Sequence, residues 1–326
     1  MTDQLSRRGF IAGTTALSSV CAMGTALAAF PDRPVKLLIP FAPAGGTDIA
    51  ARLLGERLSE VMGQQIVADN RPGANGIIAG EALRASPADG YTLLVATAAS
   101  FAGAPALGQK IPYDVEKDFI PVAMLGLFPL VLNVSSDLPV KNLKEFIDLA
   151  NKEPGKLNYA SAGVGGTNHL VIELIAQATG IKMTHVPYRG AALAATDVMS
   201  GQVHCMIDSL ASSLGNIQAG KVKALAVTSS SRQGQLPDLP TLKEQGVDVV
   251  YPGWASIVAP AGTPKDVISK LNSDINTALA QAPLKKRFSD LVIEPAMWDP
   301  AKVAQFMRED RALLTELVSK TGIKVE

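Results

Sequence analysis

Twice in this chain of 326 residues a short apolar run passes through a glycine-rich loop into a helical stretch, and this unit limits the possible folds more than any other feature. The first copy is Val35 to Pro40 followed by Phe41-Ala-Pro-Ala-Gly-Gly-Thr-Asp48; the second loop is Ser161-Ala-Gly-Val-Gly-Gly-Thr167. A strand that feeds a helix in this way leaves the helix's first N–H groups beyond the strand's carboxyl end, with no intrahelical partners. Together with the helix dipole, those groups hold an anion without any cationic side chain. Two such loops, about 120 residues apart, can grip one anionic ligand between two lobes.

Elsewhere, short β-rich runs alternate with helical periodicity, which predicts an α/β fold of mostly parallel sheets flanked by helices. Strands are expected at 35–39, 65–69, 91–96, 120–125, 130–134, 157–160, 183–186, 203–207, 222–227 and 255–258. Between the first two, Ile49, Leu53, Leu54, Leu58 and Val61 mark one helix face and Arg52, Glu56, Arg57 and Glu60 the other, with a stop at Gly63. Asn142 with Glu145 reads as a capping box, and Thr263-Pro264 and Asp299-Pro300 each put a capping residue before a first-turn proline. Gly180, Gly201, Gly220 and Gly246 read as helix stops.

The length suits two lobes. Gly126-Leu-Phe-Pro129 and Tyr251-Pro-Gly-Trp254 combine Gly and Pro with apolar neighbours, as strand-like crossovers would. The first lobe is then discontinuous, 30–126 plus 254–326, and the second is 127–253. A ligand would sit in the cleft, outside the carboxyl ends of the strands.

Residues 1–29 read as an export leader. Arg7-Arg8-Gly9-Phe10-Ile11 indicates the twin-arginine route, and Ala26-Leu-Ala28-Ala29 offers cleavage after Ala28 or Ala29. Ser and Thr between Phe10 and Leu27 leave that stretch marginal for a retained span. Removing the leader takes away Arg7, Arg8 and Asp3, so 28 basic side chains face 29 acidic ones, a net of −1. Without a basic excess, neither nucleic acid nor an anionic membrane is expected as a partner. Cys21 leaves with the leader and Cys205, in the apolar run 203–207, reads as a buried inert thiol, so no intramolecular disulfide forms. His169, His185 and His204 lack helical ligand spacing, so no metal or cofactor is expected.

Several segments in register carry a family resemblance: Phe41 to Arg52, Arg71-Pro-Gly-Ala-Asn-Gly76, Asp89-Gly-Tyr-Thr-Leu-Leu94, Ile111-Pro-Tyr-Asp114 with Asp118-Phe119, Tyr159-Ala-Ser-Ala-Gly163, His185-Val-Pro-Tyr-Arg-Gly190 and Ala259-Pro-Ala-Gly-Thr-Pro264. In order and spacing the mature chain resembles the Bug family, the extracytoplasmic solute receptors of tripartite tricarboxylate transporters. The resemblance implies a periplasmic, two-lobed binding protein of the type II-like Venus-flytrap kind; separately, a monomer is expected. It would take a small mono- or dicarboxylate and deliver it to membrane permease subunits. It further implies that one carboxylate is pinched by Ala44, Gly45, Gly46, Thr47 and Asp48 from one loop and Ser161, Gly163, Gly165, Gly166 and Thr167 from the other. Ala44 stands where many relatives have Gly, Arg189 where Lys is frequent, and His204-Cys205 replaces an acidic and apolar pair.

Read residue by residue, some of these positions have two roles open. Asp48 either caps and charges its helix with Thr47 or accepts from a ligand amine, hydroxyl or water. His169, near a helix start, reads as a neutral structural residue. Asn75 either turns the chain or lines the cleft. Pro187, Tyr188, Arg189, Gly190 and Ala191 follow a strand and precede a helix, with Arg189 either pairing a second carboxylate or solvated. Asp208 and Ser209 close a strand and are placed to meet polar groups distal to the pinched carboxylate. A module presenting ligand to a sensor kinase would use the same fold. A periplasmic hydrolase is disfavoured, because the chain has no Gly-x-Ser-x-Gly elbow.

Overall fold

The computed structural model describes residues 30–43 and 46–323; the leader, its cleavage positions, Ala44 and Gly45 lie outside the described residues. The chain runs through β1 (Val35–Ile39), α1 (Gly46–Met62), β2 (Ile66–Asn70), α2 (Ile77–Arg84), β3 (Thr92–Thr97), a π-helical turn (Ala99–Gly103), α3 (Ala104–Ala106) and β4 (Phe119–Phe128). After Pro129 come β5 (Leu130–Ser135), α4 (Leu143–Lys152), β6 (Asn158–Ser161), α5 (Thr167–Thr179), β7 (Thr184–Pro187), α6 (Ala191–Met199), β8 (Cys205–Ser209), α7 (Leu210–Gln218) and β9 (Val222–Val227). The chain closes with β10 (Gly253–Pro260), α8 (Lys265–Ala280), α9 (Ala282–Asp290) and α10 (Pro300–Thr321).

Two five-stranded sheets result, in the orders β2-β1-β3-β10-β4 and β7-β6-β8-β5-β9. In each, four strands point one way. The exceptions are β10, antiparallel to β3 and β4, and β5, antiparallel to β8 and β9. The sheets are therefore mixed: parallel in dominant direction, with neighbour pairings split evenly. Each reversed strand begins at a crossover, β5 just after Pro129 and β10 at Gly253. At the crossing itself Gly253 lies opposite Phe128 and Trp254 opposite Leu127, so both passages of the chain run side by side as a ribbon.

Alternation along the strands sorts side chains onto two faces. Leu37, Ile39, Leu93 and Val95 pack with Leu54 and Leu58 of α1 and Leu271 and Ile275 of α8 in one cluster. Leu38, Leu94 and Ala96, on the opposite face, join a cluster that continues through Phe101, Leu170, Leu314 and Leu317 to Leu132, Tyr159 and Ile207. Each fully buried aliphatic side chain contributes roughly 1.5–3 kcal/mol, and this second cluster joins both sheets behind the cleft.

Helix ends follow the sequence signals with two corrections. Asn142 caps α4 by accepting from the Glu145 N–H at 2.9 Å, and Glu145 reaches back to the Lys141 N–H at 2.8 Å. Asp299 caps α10 through the Lys302 N–H at 2.8 Å. Thr263, however, caps nothing: its hydroxyl donates to the Pro260 carbonyl at 2.8 Å, and α8 begins only at Lys265. Gly246 ends a three-residue 3-10 turn rather than an α-helix. Cys205 is buried, and burial pushes its thiol up and leaves it inert. Among the described residues no His, Cys, Asp and Glu cluster could hold a metal, and no helix is long and apolar enough to cross a membrane.

Candidate functional site

The mouths of α1 and α5 open onto one crevice of about 270 Å³. Gly46 and Thr47 line it from α1, and Thr167 and Asn168 from α5. A third helix start joins them, since Asp208, Ser209 and Ala211 line the same crevice where β8 turns into α7. The apolar wall comes from Phe41, from Phe128 and Leu130 at one crossover, from Trp254 at the other, and from Leu291 and Ile293 beyond α9. Thr97, Ala98 and Ala99 complete it from the end of β3. No Lys, Arg or His is among these lining residues; Asp208 is the only ionisable one.

The first loop is fixed from beneath. Asp48, buried at 2 % exposure, takes the Arg52 guanidinium on both carboxylate oxygens at 3.0 Å and the Asn70 amide at 2.8 Å. The Asn70 amide also donates to the Phe41 carbonyl at 2.9 Å, and Arg52 donates to the Asn70 oxygen at 2.7 Å. Of the two roles open to Asp48, this placement fits the first: it is built into the foundation of α1 and does not line the crevice.

The second loop also turns its polar groups inward. The Gly163 N–H donates to Ser161 Oγ at 3.2 Å, the Gly165 N–H to His169 Nδ1 at 3.0 Å, and the Gly166 N–H to the Gly163 carbonyl at 3.3 Å. Free loop amides were expected at these three positions. Thr167 and Asn168 line the crevice from the first turn of α5, where their N–H groups precede the first helical bond, Leu170 to Gly166. Gly165 has φ +75°, and a Cβ there would stand 2.4 Å from Leu107 Cδ1, so the loop is wedged against the segment that follows β3.

Asp208 is 8 % exposed and accepts from the Ser209 N–H and the Ser212 hydroxyl, each at 2.8 Å. Burial raises its pKa, and the donors from Ser212, Ser209 and Ser213 only partly offset that. The remaining expected positions lie outside the crevice lining. Asn75 is exposed, in a left-handed turn at φ 53°. Pro187 ends β7 at the surface, and the Tyr188 hydroxyl is spent on Asp197 at 2.7 Å. Arg189 is exposed, and Gly190 and Ala191 open α6 beside the second loop, where the Tyr188 carbonyl is 3.7 Å from a Cβ placed at Gly163.

The sequence reading missed Thr97, Ala98, Asn168, Leu291 and Ile293 as lining residues. Thr97 was within reach, because it is the polar residue directly after a predicted strand. Leu291 and Ile293 carried no signal, since a loop between two helices far along the chain brings them back; Leu127 and Glu294 hold it there with two backbone bonds of 2.9 Å.

A family model described as tripartite tricarboxylate transporter family receptor matches residues 50–323. The chain belongs to that receptor family. It is 33% identical to protein BugT of Bordetella pertussis over 100% of this chain and 99% of that one. Among solved structures it is similar to Rpa4515 of R. palustris with adipate, at TM-score 0.82 and 34% identity, covering 90% of this chain and 99% of that one. It is also similar to MatC of Rhodopseudomonas palustris with bound malate, at TM-score 0.78 and 33% identity, covering 89% and 100%. The tripartite tricarboxylate receptors are periplasmic solute-binding proteins and not enzymes, in keeping with a crevice lined by hydroxyl donors and an apolar wall.

Proposed function

We propose that this receptor captures a small carboxylate in the crevice and hands it to the membrane permease subunits of a tripartite tricarboxylate-type transporter. The observation that carries the reading is the meeting of the α1 and α5 mouths on one crevice whose lining has no cation. A carboxylate there takes its hydrogen bonds from first-turn amides and from the hydroxyls of Thr47, Thr97 and Thr167. Charge-assisted bonds of roughly 1.5–3 kcal/mol each, less ordering costs, suffice for a micromolar constant of about −8 kcal/mol. The wall of Phe41, Phe128, Leu130, Trp254, Leu291 and Ile293 suits a hydrocarbon middle. The adipate and malate held by two relatives support a dicarboxylate class. Asp208 at the mouth of α7 accepts from a ligand hydroxyl or, with burial raising its pKa, takes a proton and donates to a second carboxylate.

The same reading takes 30–126 plus 254–326 and 127–253 as lobes that close on the ligand about the paired crossovers. It takes 1–29 as a twin-arginine leader removed after Ala28 or Ala29, so the periplasmic protein begins at Ala29 or Phe30 by terminal sequencing. Isothermal titration against mono- and dicarboxylates, malate and adipate included, tests the function. Micromolar binding with a raised melting temperature is expected, and no heat and no shift across the panel would overturn it.

A further inference from the structure

Behind the second loop three rings lie in a stack. Tyr159 of β6 lies 4.8 Å from His185 of β7 at 15° between planes, and His185 lies 4.0 Å from His169 of α5 at 9°. On the far side the Tyr159 hydroxyl donates to Glu173. On the near side both imidazoles reach the loop. His169 Nδ1 accepts from the Gly165 N–H at 3.0 Å, and His185 Nε2 is 2.6 Å from Ser161 Oγ, which in turn accepts from Gly163. Each end of the segment from Ser161 to Gly166 therefore hangs on one histidine.

We infer that His169 and His185 are positioning residues for the anion site, two neutral imidazoles that hold the loop so that the first turn of α5 faces the crevice, and that acid releases this hold. The inference rests on the carboxylate reading of the crevice. An Nδ1 that accepts an N–H bond carries no proton, so the His169 proton is on Nε2 and the ring is neutral. A second proton would set two donors against each other across the Gly165 contact. His185 is different, because its charged ring can still donate to Ser161 Oγ. Two charged rings stacked at 4.0 Å repel, so the pair accepts one proton at His185 without disturbing the loop and fails when His169 takes the second.

The hydrogen-bond partners of both imidazoles in the loop are uncharged. Burial first and His185 second push the His169 pKa down to about 4, and burial lowers that of His185. From β6 and α5 the pair faces Tyr159 and, through it, Glu173; from β8 it faces Cys205, the register partner of Tyr159, whose thiol burial keeps protonated. The atoms nearest to a Cβ placed at Gly165 belong to Leu107 and Gln109, both uncharged.

The test compares wild type, His169→Asn and His169→Leu. Asn carries an oxygen acceptor on Cγ, where His has Nδ1, and does not titrate; Leu fills the space without an acceptor. With malate and adipate as ligands near neutral pH, His169→Asn should bind within about threefold of wild type and His169→Leu at least about tenfold more weakly. On acidification wild type should lose about twofold more affinity than His169→Asn at about pH 4, where half of His169 is charged, and about tenfold more one pH unit lower, the variant sharing every titration of the ligand itself. Equal binding by the Leu variant, or parallel acid loss in wild type and the Asn variant, would overturn the inference. Hydrogen exchange at the Gly165 amide decides the matter without any ligand: protection in wild type and His169→Asn but not in His169→Leu supports it, and equal protection in all three refutes it. If neither acid binds while Gly165 behaves as expected, the carboxylate reading fails and the positioning role stands.

Discussion

Beneath the mouth of α1 lies a charged network of Asp48, Arg52 and Asn70, whereas beneath the mouth of α5 lies a stack of neutral rings. Both foundations leave a first helical turn facing one crevice. The chain has thus met one requirement with two chemistries, and they differ in what disturbs them. A carboxylate bonded to a guanidinium and an amide holds its loop by opposite charge and by hydrogen bonds. An imidazole used as an acceptor, as His169 is, works only while uncharged, so acidity can reach the second mouth.

The sharpest break of the comparison is at the glycines. Gly165→Ala forces a left-handed backbone on a side chain and drives its Cβ to 2.4 Å from Leu107. It should cost about 2–4 kcal/mol in denaturant unfolding and abolish measurable carboxylate binding. Gly46→Ala meets nothing within 4 Å, so stability should stay within about 0.5 kcal/mol while the methyl group weakens binding from inside the crevice. Next in size is Asp48→Ala, which removes the buried acceptor shared by the half-buried Asn70 amide and the Arg52 guanidinium and leaves them, among the described residues, only their bonds to the Phe41 carbonyl and to each other. With Arg52 half-exposed, a loss of about 1–3 kcal/mol is expected, together with weaker binding at every pH.

A smaller effect separates the two foundations by pH. The His169 pKa falls from 6.5 to about 4 on folding, so the unfolded chain binds more protons between those values. Its stabilising contribution is therefore full above about pH 6.5 and is lost as pH falls through about 4. Melting temperatures taken across that window should decline in wild type and decline less in His169→Asn. Smallest of all is Arg189→Ala: an exposed side chain outside the crevice lining should change stability by less than about 0.5 kcal/mol and leave carboxylate affinity nearly unchanged. A large loss there would move recognition from amides to the guanidinium.

Every expected strand is present, and the errors at their ends are informative. Reading by apolar content stops at Asp69, Ala96, Ala160 and Ile207, but the strands run on to Asn70, Thr97, Ser161 and Ser209. These polar endings are the residues that brace the loops or line the crevice, so a hydrophobic pattern ends just where the site begins. Paired glycine loops were legible because a tight strand-to-helix passage needs glycine. The fate of their N–H groups was not, because His169 and Ser161 claim them through contacts that depend on ring placement in three dimensions. Likewise Asp48 gives no sign in one dimension that Asn70, at the end of the next strand, turns it towards the interior.

The missing cation in the crevice wall has a consequence for traffic. A carboxylate seated among amides and hydroxyls meets no side-chain countercharge in the wall, so loading adds negative potential at the crevice instead of cancelling a positive one, beside the change in net charge that any anion brings. Laden and empty molecules should therefore separate by electrophoretic mobility, and a membrane complex that receives them could sort one from the other before any lobe has moved.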